Sequence, residues 1–198
     1  MQENWYILYA LVDRQEQLCS VLSQQGLRAF VPKMEYYRRD RKELAVKAMF
    51  PGYVFIRSEL GQEAFDRLLT ELGERKQGMI RQLKEEGTTA MRKEEREFFS
   101  HLLDDTGLSK MSYGYLKGGR AVVTEGPLLH FQERIVKTDR HNRLAWLDFE
   151  FMHRRIQAGL TIQKAQQAPP ENTEPGKMFL DDGTTVDIEK LKSKMMGL

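Results

Sequence analysis

A change in the spacing of apolar residues at Gly107 constrains this chain more than any other feature, because it demands two architectures in sequence. Before Gly107, strand-like and helix-like periods alternate. Trp5-Tyr6-Ile7-Leu8-Tyr9-Ala10-Leu11-Val12 is an unbroken apolar and aromatic run and predicts a buried strand. Asp13 can N-cap a helix reaching Gln25, in which Leu18, Val21, Leu22 and Gln25 share a face and Gly26 provides the stop. Leu27–Val31 reads as a second strand ended by Pro32. Glu35 to Lys47 is a charged excursion, and Gly52–Ile56 is a strand again, so the stretch between them predicts a long hairpin. From Gly61, Phe65, Leu68, Leu69 and Leu72 line one helical face. A strand near Met79–Leu83 and a helix from Lys93 to about Leu103 complete a βαβ, βαβ, α series, expected to form an α+β domain with helices packed on an antiparallel-rich sheet.

After Gly107 only short strands recur. Arg120–Thr124, Arg134–Thr138, Asn142–Phe151 and Ile156–Ile162 are separated by turn signals at Glu125-Gly126-Pro127, Asp139–Asn142 and His153–Arg155, which predicts a small all-β barrel. Alternation in Asn142–Phe151 puts Ala145, Leu147, Phe149 and Phe151 on the core face. Leu144, Trp146, Asp148 and Glu150 fall on the other, where Trp146 is covered by a neighbouring strand or free to stack. Gln166–Gly176 holds Pro169, Pro170 and Pro175 and reads as a linker, followed by an Asp182-Gly183 turn and a short helix from Asp187. The expected domains are 1–106, a linker 107–118, the barrel 119–165, and a linker with a C-terminal tail over 166–198.

Charge separates along the same lines. Residues 108–165 carry ten Lys/Arg against five Asp/Glu, whereas 1–107 carry 17 against 18 and 166–198 carry four against six. A basic middle segment points toward nucleic acid, since segregated charge sets nonspecific affinity. The apolar stretch Ala48–Ile56 is interrupted by Pro51 and Gly52 and falls far short of the ~20 residues of a spanning helix. No basic segment precedes Trp5, so no secretory leader is expected. The lone Cys19 builds neither an internal disulfide nor a cysteine metal site, which suits a reducing cytoplasm. His101, His130, His141 and His153 lack metal-binding spacing, and Gly118-Gly119-Arg120 lacks the Lys-Ser/Thr of a phosphate loop. Neither an enzyme, a metal nor a cofactor is expected.

Met49-Phe50-Pro51-Gly52-Tyr53-Val54, with Trp5-Tyr6 upstream, Phe30-Val31-Pro32, the basic hairpin and Glu125-Gly126-Pro127 downstream, resembles the NusG family of transcription elongation factors over residues 4–165. Residues 1–106 look like the NusG N-terminal domain and 119–165 like its KOW domain. Met111-Ser112-Tyr113-Gly114 and the run Ile135 to Ala145 look most like the specialised LoaP branch of antiterminating paralogues. Glu133 stands where the KOW pattern expects glycine, so a local distortion or register change is expected there.

The resemblance implies a monomeric cytoplasmic factor that binds RNA polymerase and promotes processive antitermination on selected operons. It also implies that the tip of the polymerase β′ clamp helices sits in an aromatic depression, carried here by Trp5, Tyr6, Phe50, Pro51, Gly52 and Tyr53, with Phe50 and Tyr53 displayed by the Pro-Gly bend. The same aromatics also suit an ordinary core. Arg38, Arg39, Arg41 and Lys42 on the hairpin are candidates for upstream or nontemplate DNA, or form a solvated loop. Lys137, Arg140, His141, Asn142, Arg143, Arg154 and Arg155, on turns of the barrel, are candidates for a structured hairpin of nascent RNA. The abundance of Val, Ile, Phe and Trp, with Gly126-Pro127 interrupting any helix, favours a constitutive barrel over a helical alternative. The competing expectation is a general RNA-binding or ribosome-associated KOW protein.

Overall fold

The computed structural model describes residues 3–84, 91–163, 177–179 and 185–187. Strands β1 (Asn4–Ala10), β2 (Arg28–Phe30), β5 (Tyr53–Ser58) and β6 (Met79–Leu83) form an antiparallel sheet in the order β2-β5-β1-β6. Between β2 and β5 the chain leaves as the hairpin β3 (Lys33–Arg38) and β4 (Glu43–Ala48). Helices α1 (Gln15–Ser23), α2 (Gln62–Glu71) and α3 (Lys93–Leu102) fall where the apolar spacing places them. One boundary differs. Asp13 does not cap α1; Arg14 occupies the N-cap without a side-chain bond, because the chain first closes a turn in which Arg14 N–H donates to Leu11 O.

Both faces of β1 are buried, which explains its continuous apolar run. Tyr6, Leu8 and Ala10, with Val54 and Ile56 of β5, meet Leu18 and Leu22 of α1 and Phe65 and Leu69 of α2. Trp5 and Ile7, with Phe55, face the opposite way, toward Phe98, Phe99 and Leu102 of α3. A fully buried side chain of this size contributes ~1.5–3 kcal/mol relative to exposure, so neither face could be left open without cost.

What completes the second core is the other half of the chain. Strands β8 (Ser112–Lys117), β9 (Arg120–Glu125), β10 (Ile135–Asp139), β11 (Leu144–Phe151) and β12 (Arg154–Ile162) form a five-stranded sheet in the order β10-β11-β12-β8-β9. Its buried residues Leu147 and Phe151, with Leu128 and Phe131 of the segment between β9 and β10, share one cluster with Trp5, Phe55 and Phe99. Met1 to Ile162 is therefore a single compact unit, with 163–198 a second.

Several expectations are corrected here. Residues 107–118 are not a linker: β7 (Leu108–Ser109) runs parallel to β3, and β8 runs parallel to β12 inside the second sheet. Gly107 makes this joint. At φ +80, a Cβ on it would meet Phe30 at 2.2 Å, and its carbonyl accepts from Lys33 N–H. Residues Pro127–Arg134, between β9 and β10, are a 3-10 segment that strand periodicity could not reveal, and Leu128 and Phe131 are its buried face. The β10–β11 register shifts between Ile135 and Lys137, two residues past Glu133. The turn before β12 is Met152-His153, both left-handed, so Arg154 and Arg155 begin a strand. In the tail, β13 (Lys177–Phe179) pairs with β14 (Thr185–Asp187); the expected Asp182-Gly183 turn, and the helix beyond Asp187, lie outside the described residues.

Gly159 of β12 lies against β3, where a Cβ would meet Glu35 O and Met111 Sδ, each at 2.8 Å. Backbone oxygen cannot yield as a side-chain end does. Gly159→Val should therefore destabilise the protein by ~1–3 kcal/mol, read as a lower urea midpoint, with the strain at the β3–β12 approach. Burial, aided by Glu16, pushes the Cys19 thiol up to about 12. Iodoacetamide at pH 9 should leave it unmodified until denaturant unfolds the chain. Because the folded value is the raised one, this thiol's contribution to stability is intact below about 9 and lost as pH rises through about 12.

Candidate functional site

Phe50-Pro51-Gly52-Tyr53 connects β4 to β5, and its conformation follows from two backbone requirements. Gly52 has φ +86, and a Cβ there would meet Ala10 O at 2.9 Å. Its carbonyl accepts from Ala10 N–H at 2.7 Å, while its own N–H donates to the buried Gln15 Oε1 at 2.8 Å. Gln15 of α1 thus fixes the bend, a role that helical spacing gave no reason to assign. Tyr53 is half-buried and leans on Tyr9 at 5.0 Å, and Pro51 is exposed.

Phe50 is not displayed by this bend. It is 4% exposed, and its ring lies 5.3 Å from Phe151, 6.0 Å from Phe55 and 6.0 Å from Phe99. Phe151, the last residue of β11, also lies 4.9 Å from Phe99 and 5.8 Å from Phe55. Beside this cluster Phe98 stacks on Phe149 at 3.8 Å with planes 4° apart. Phe50, expected to face a partner, is thus in contact with the second sheet. Sequence alternation did mark Phe149 and Phe151 as core-facing, but gave no sign that this core is shared with the first half of the chain.

Trp5 and Tyr6 point to opposite faces of β1, as alternation in a strand requires. Trp5 is 4% exposed, with the Arg57 guanidinium 5.0 Å from its ring centroid and its indole N–H donating to Glu3. Tyr6 is fully buried, stacked on Phe65 at 4.0 Å, and its hydroxyl donates to Leu60 O at 2.7 Å. Tyr6 therefore does not lie beside Phe50, and the expected single aromatic depression resolves into Trp5, Phe50 and Tyr53 on one side only.

At the hairpin tip, part of the positive charge is internally neutralised. Asp40 accepts from Arg38 Nη2 at 2.6 Å and Nε at 3.3 Å, and the Arg38 hydrogen bonds hold its carboxyl below the usual range. Arg41 lies 4.0 Å from Asp40 and 3.9 Å from Glu43. Lys42 is left-handed at φ +54, and neither it nor Arg39 has an ion pair among the described residues.

The turn after β10 is organised by Asp139. Its Oδ1 accepts from His141 N–H and Asn142 N–H, both at 2.9 Å, and Oδ2 accepts from the Asn142 side-chain amide at 2.7 Å. These bonds, those to Asn142 first, keep the Asp139 carboxyl below its ordinary value. Asn142 thus spends its amide N–H inside the turn, whereas Arg140 and His141 are exposed. Arg143 lies across the ring of Tyr37, its guanidinium carbon 3.5 Å from the centroid, which brings the turn between β10 and β11 against the hairpin. Lys137 lies over Trp146 at 4.9 Å.

Removing the Phe151 ring should open this shared core. Phe151→Ala should cost ~3–5 kcal/mol, and limited proteolysis between 103 and 119 should accelerate before global unfolding. Unchanged cleavage in a destabilised protein would mean that the halves unfold together.

Among the described residues no helix is long and apolar enough to cross a membrane. A search of the curated proteins finds no match. A solved structure, described as "Domain interaction in Thermotoga maritima NusG", is 15% identical over 82% of this chain and 95% of that one, with a TM-score of 0.44. Residues 3–100, which carry the first sheet, its hairpin and the Phe50–Tyr53 bend, match the family model "Transcription termination factor nusG". The matched residues make up just under half of the chain, so the likeness to the NusG family is one of this first half.

Proposed function

We propose that the protein is a non-enzymatic elongation factor of the LoaP type. It binds the β′ clamp helices of RNA polymerase through Trp5, Phe50 and Tyr53 and promotes antitermination on selected operons. NusG-family proteins generally bind RNA polymerase, and the family match spans the residues in question. The observation that carries the reading further is the contact between Phe50 and Phe151. A stiff aromatic surface large enough to seat a helix tip exists in the first half of the chain, and the second sheet occupies it. The polymerase-competent form is accordingly an open one in which Phe151 has withdrawn, and the closed form described above is its inactive reserve.

The second half is then a KOW-like barrel that stays β-structured when released and presents Lys137, Arg140 and His141 to a structured RNA. Its turn is rigid because Asp139 holds it, so its cations are pre-organised for phosphates. Arg39 and Lys42 at the hairpin tip are the cations best placed to meet upstream or nontemplate DNA. Their neighbours Arg38 and Arg41 are paired with acidic groups. In this reading the protein acts as a cytoplasmic monomer without a cofactor. Bridging the polymerase cleft shifts the clamp toward its closed, processive state without any chemistry.

Polymerase pull-down and terminator read-through test the reading together. Wild-type protein should retain core polymerase weakly, Phe151→Ala more strongly, and Tyr53→Ala in the Phe151→Ala background much less. Read-through past a terminator should follow the same order. Recovery of ribosomal subunits without polymerase, from both wild type and Phe151→Ala, would replace this proposal with a ribosome-associated role.

A further inference from the structure

Between the hairpin and the second sheet lies a groove of about 420 Å³. Its floor is apolar: Met34, Phe50 and Ile156 are each at most 4% exposed. Its rim is cationic, with Lys47 from β4 and Arg154 and Arg155 from the start of β12. Trp146 of β11 forms an aromatic wall, flanked in register by Gln157 of β12, which also lines the groove, and by Lys137 of β10 on the other side. Among the described residues no carboxylate lines it. Glu150 is the cross-strand neighbour of Arg155, but no ion pair joins the two among the described residues. Arg154 and Arg155 are exposed and likewise carry no ion pair among the described residues. Lys47 lies over the ring of Tyr36, at 4.9 Å, and has no ion pair among the described residues.

Three unneutralised cations around an aromatic wall and an apolar floor fit a ligand that is planar and apolar at one end and anionic at the other. The volume falls within the ~300–1,000 Å³ of small-molecule sites. We propose that this groove binds an unpaired nucleotide, its base against Trp146 and its phosphate between Lys47 and Arg154/Arg155, with the Gln157 amide able to meet a base edge. Stacking tolerates any base, and the cations read phosphate without sequence demand, so the ligand class is single-stranded RNA or a free nucleotide.

The inference goes beyond the polymerase reading, because it concerns the closed form. Met34 and Lys47 come from the hairpin, and Trp146, Arg154 and Arg155 from the second sheet, so the site exists only while Phe151 remains seated. A ligand held there stabilises the closed form by mass action. By linkage it opposes anything that needs Phe50 uncovered, and is opposed by it to the same degree. The site thus differs in consequence from the exposed Arg140-His141 turn, which remains available in either form.

The two tryptophans, Trp5 and Trp146, provide the readout. Full-length protein would be titrated with an eight-nucleotide oligouridylate, with ATP and with a polyglutamate peptide at several KCl concentrations. RNA or ATP should quench the fluorescence, and Trp146→Phe should abolish the quench while leaving the far-ultraviolet circular dichroism unchanged. Lys47→Gln, Arg154→Gln and Arg155→Gln should each weaken oligouridylate binding ~3–10-fold and lower its salt slope by ~0.7. Phe151→Ala should weaken binding comparably, although it touches no phosphate. Tighter binding of oligouridylate than of ATP assigns the site to RNA, and the reverse assigns it to a free nucleotide. Absence of quenching, or equal binding of polyglutamate, overturns the proposal. So does unchanged affinity in both Lys47→Gln and Phe151→Ala, which would confine binding to the second sheet. A chain that quenches but does not retain polymerase contradicts the function proposed above and leaves the groove standing; the opposite result removes the groove alone.

Discussion

The packing of Phe151 against Phe50, Phe55 and Phe99 is the interaction on which the rest of this structure depends. These rings come from β11, the bend before β5, β5 itself and α3, so one aromatic cluster ties together elements separated by a hundred residues. Its edge-to-face contacts provide both apolar burial and directional quadrupole attraction. The same surface is a stiff, apolar, aromatic face of the first sheet. Covering it removes exposed apolar surface, and any partner for that face would have to displace an intramolecular competitor held at high effective concentration.

Around this apolar centre the polar contacts between the halves are few and well defined. Glu35 Oε2 accepts from Met111 N–H at 2.6 Å, Gly159 lets β12 approach the Glu35 carbonyl, and Arg143 lies on Tyr37. Each involves the hairpin, which projects from the first sheet and reaches the second. The hairpin is thus a strut as well as a charged loop. By placing Lys47 opposite Arg154 and Arg155 it converts two separate basic segments into one cationic groove. At its tip the opposite happens, because Asp40 draws in Arg38 and Arg41 and dilutes the field that a count of basic residues suggests.

Much of the first half could be read from residue spacing alone. The buried strand at Trp5, the helical faces of Leu18 and Leu22 and of Phe65 and Leu69, the helix from Lys93, and the long hairpin all stand where periodicity puts them, because those signals are local. The alternation that assigns Ala145, Leu147 and Phe151 to a buried face is equally local, and holds. The 3-10 segment Pro127–Arg134 was not legible, since i to i+3 contacts in a short stretch leave neither period. Nor were the parallel pairings of Leu108–Ser109 with β3 and of Ser112–Lys117 with β12, whose partners lie about 50 to 75 residues away in the chain.

The sequence by itself determined which segments form strands and helices with a buried face and where charge collects, because hydropathy and period are properties of a segment and its immediate neighbours. It also carried the likeness of the first half to the NusG family, through a bend whose glycine must adopt a left-handed conformation against Ala10. Only the tertiary structure decided what each buried face is buried against. Trp5 and Tyr6 are adjacent and equally apolar, yet one packs toward α3 and the shared core while the other stacks on Phe65 beneath α2. Phe50 is as aromatic as an exposed docking residue would be, and it is hidden because Phe151 arrives from the far end of the unit. Burial can be encoded locally. The identity of the covering surface depends on which distant elements meet, and that choice is made by the packing of the whole chain.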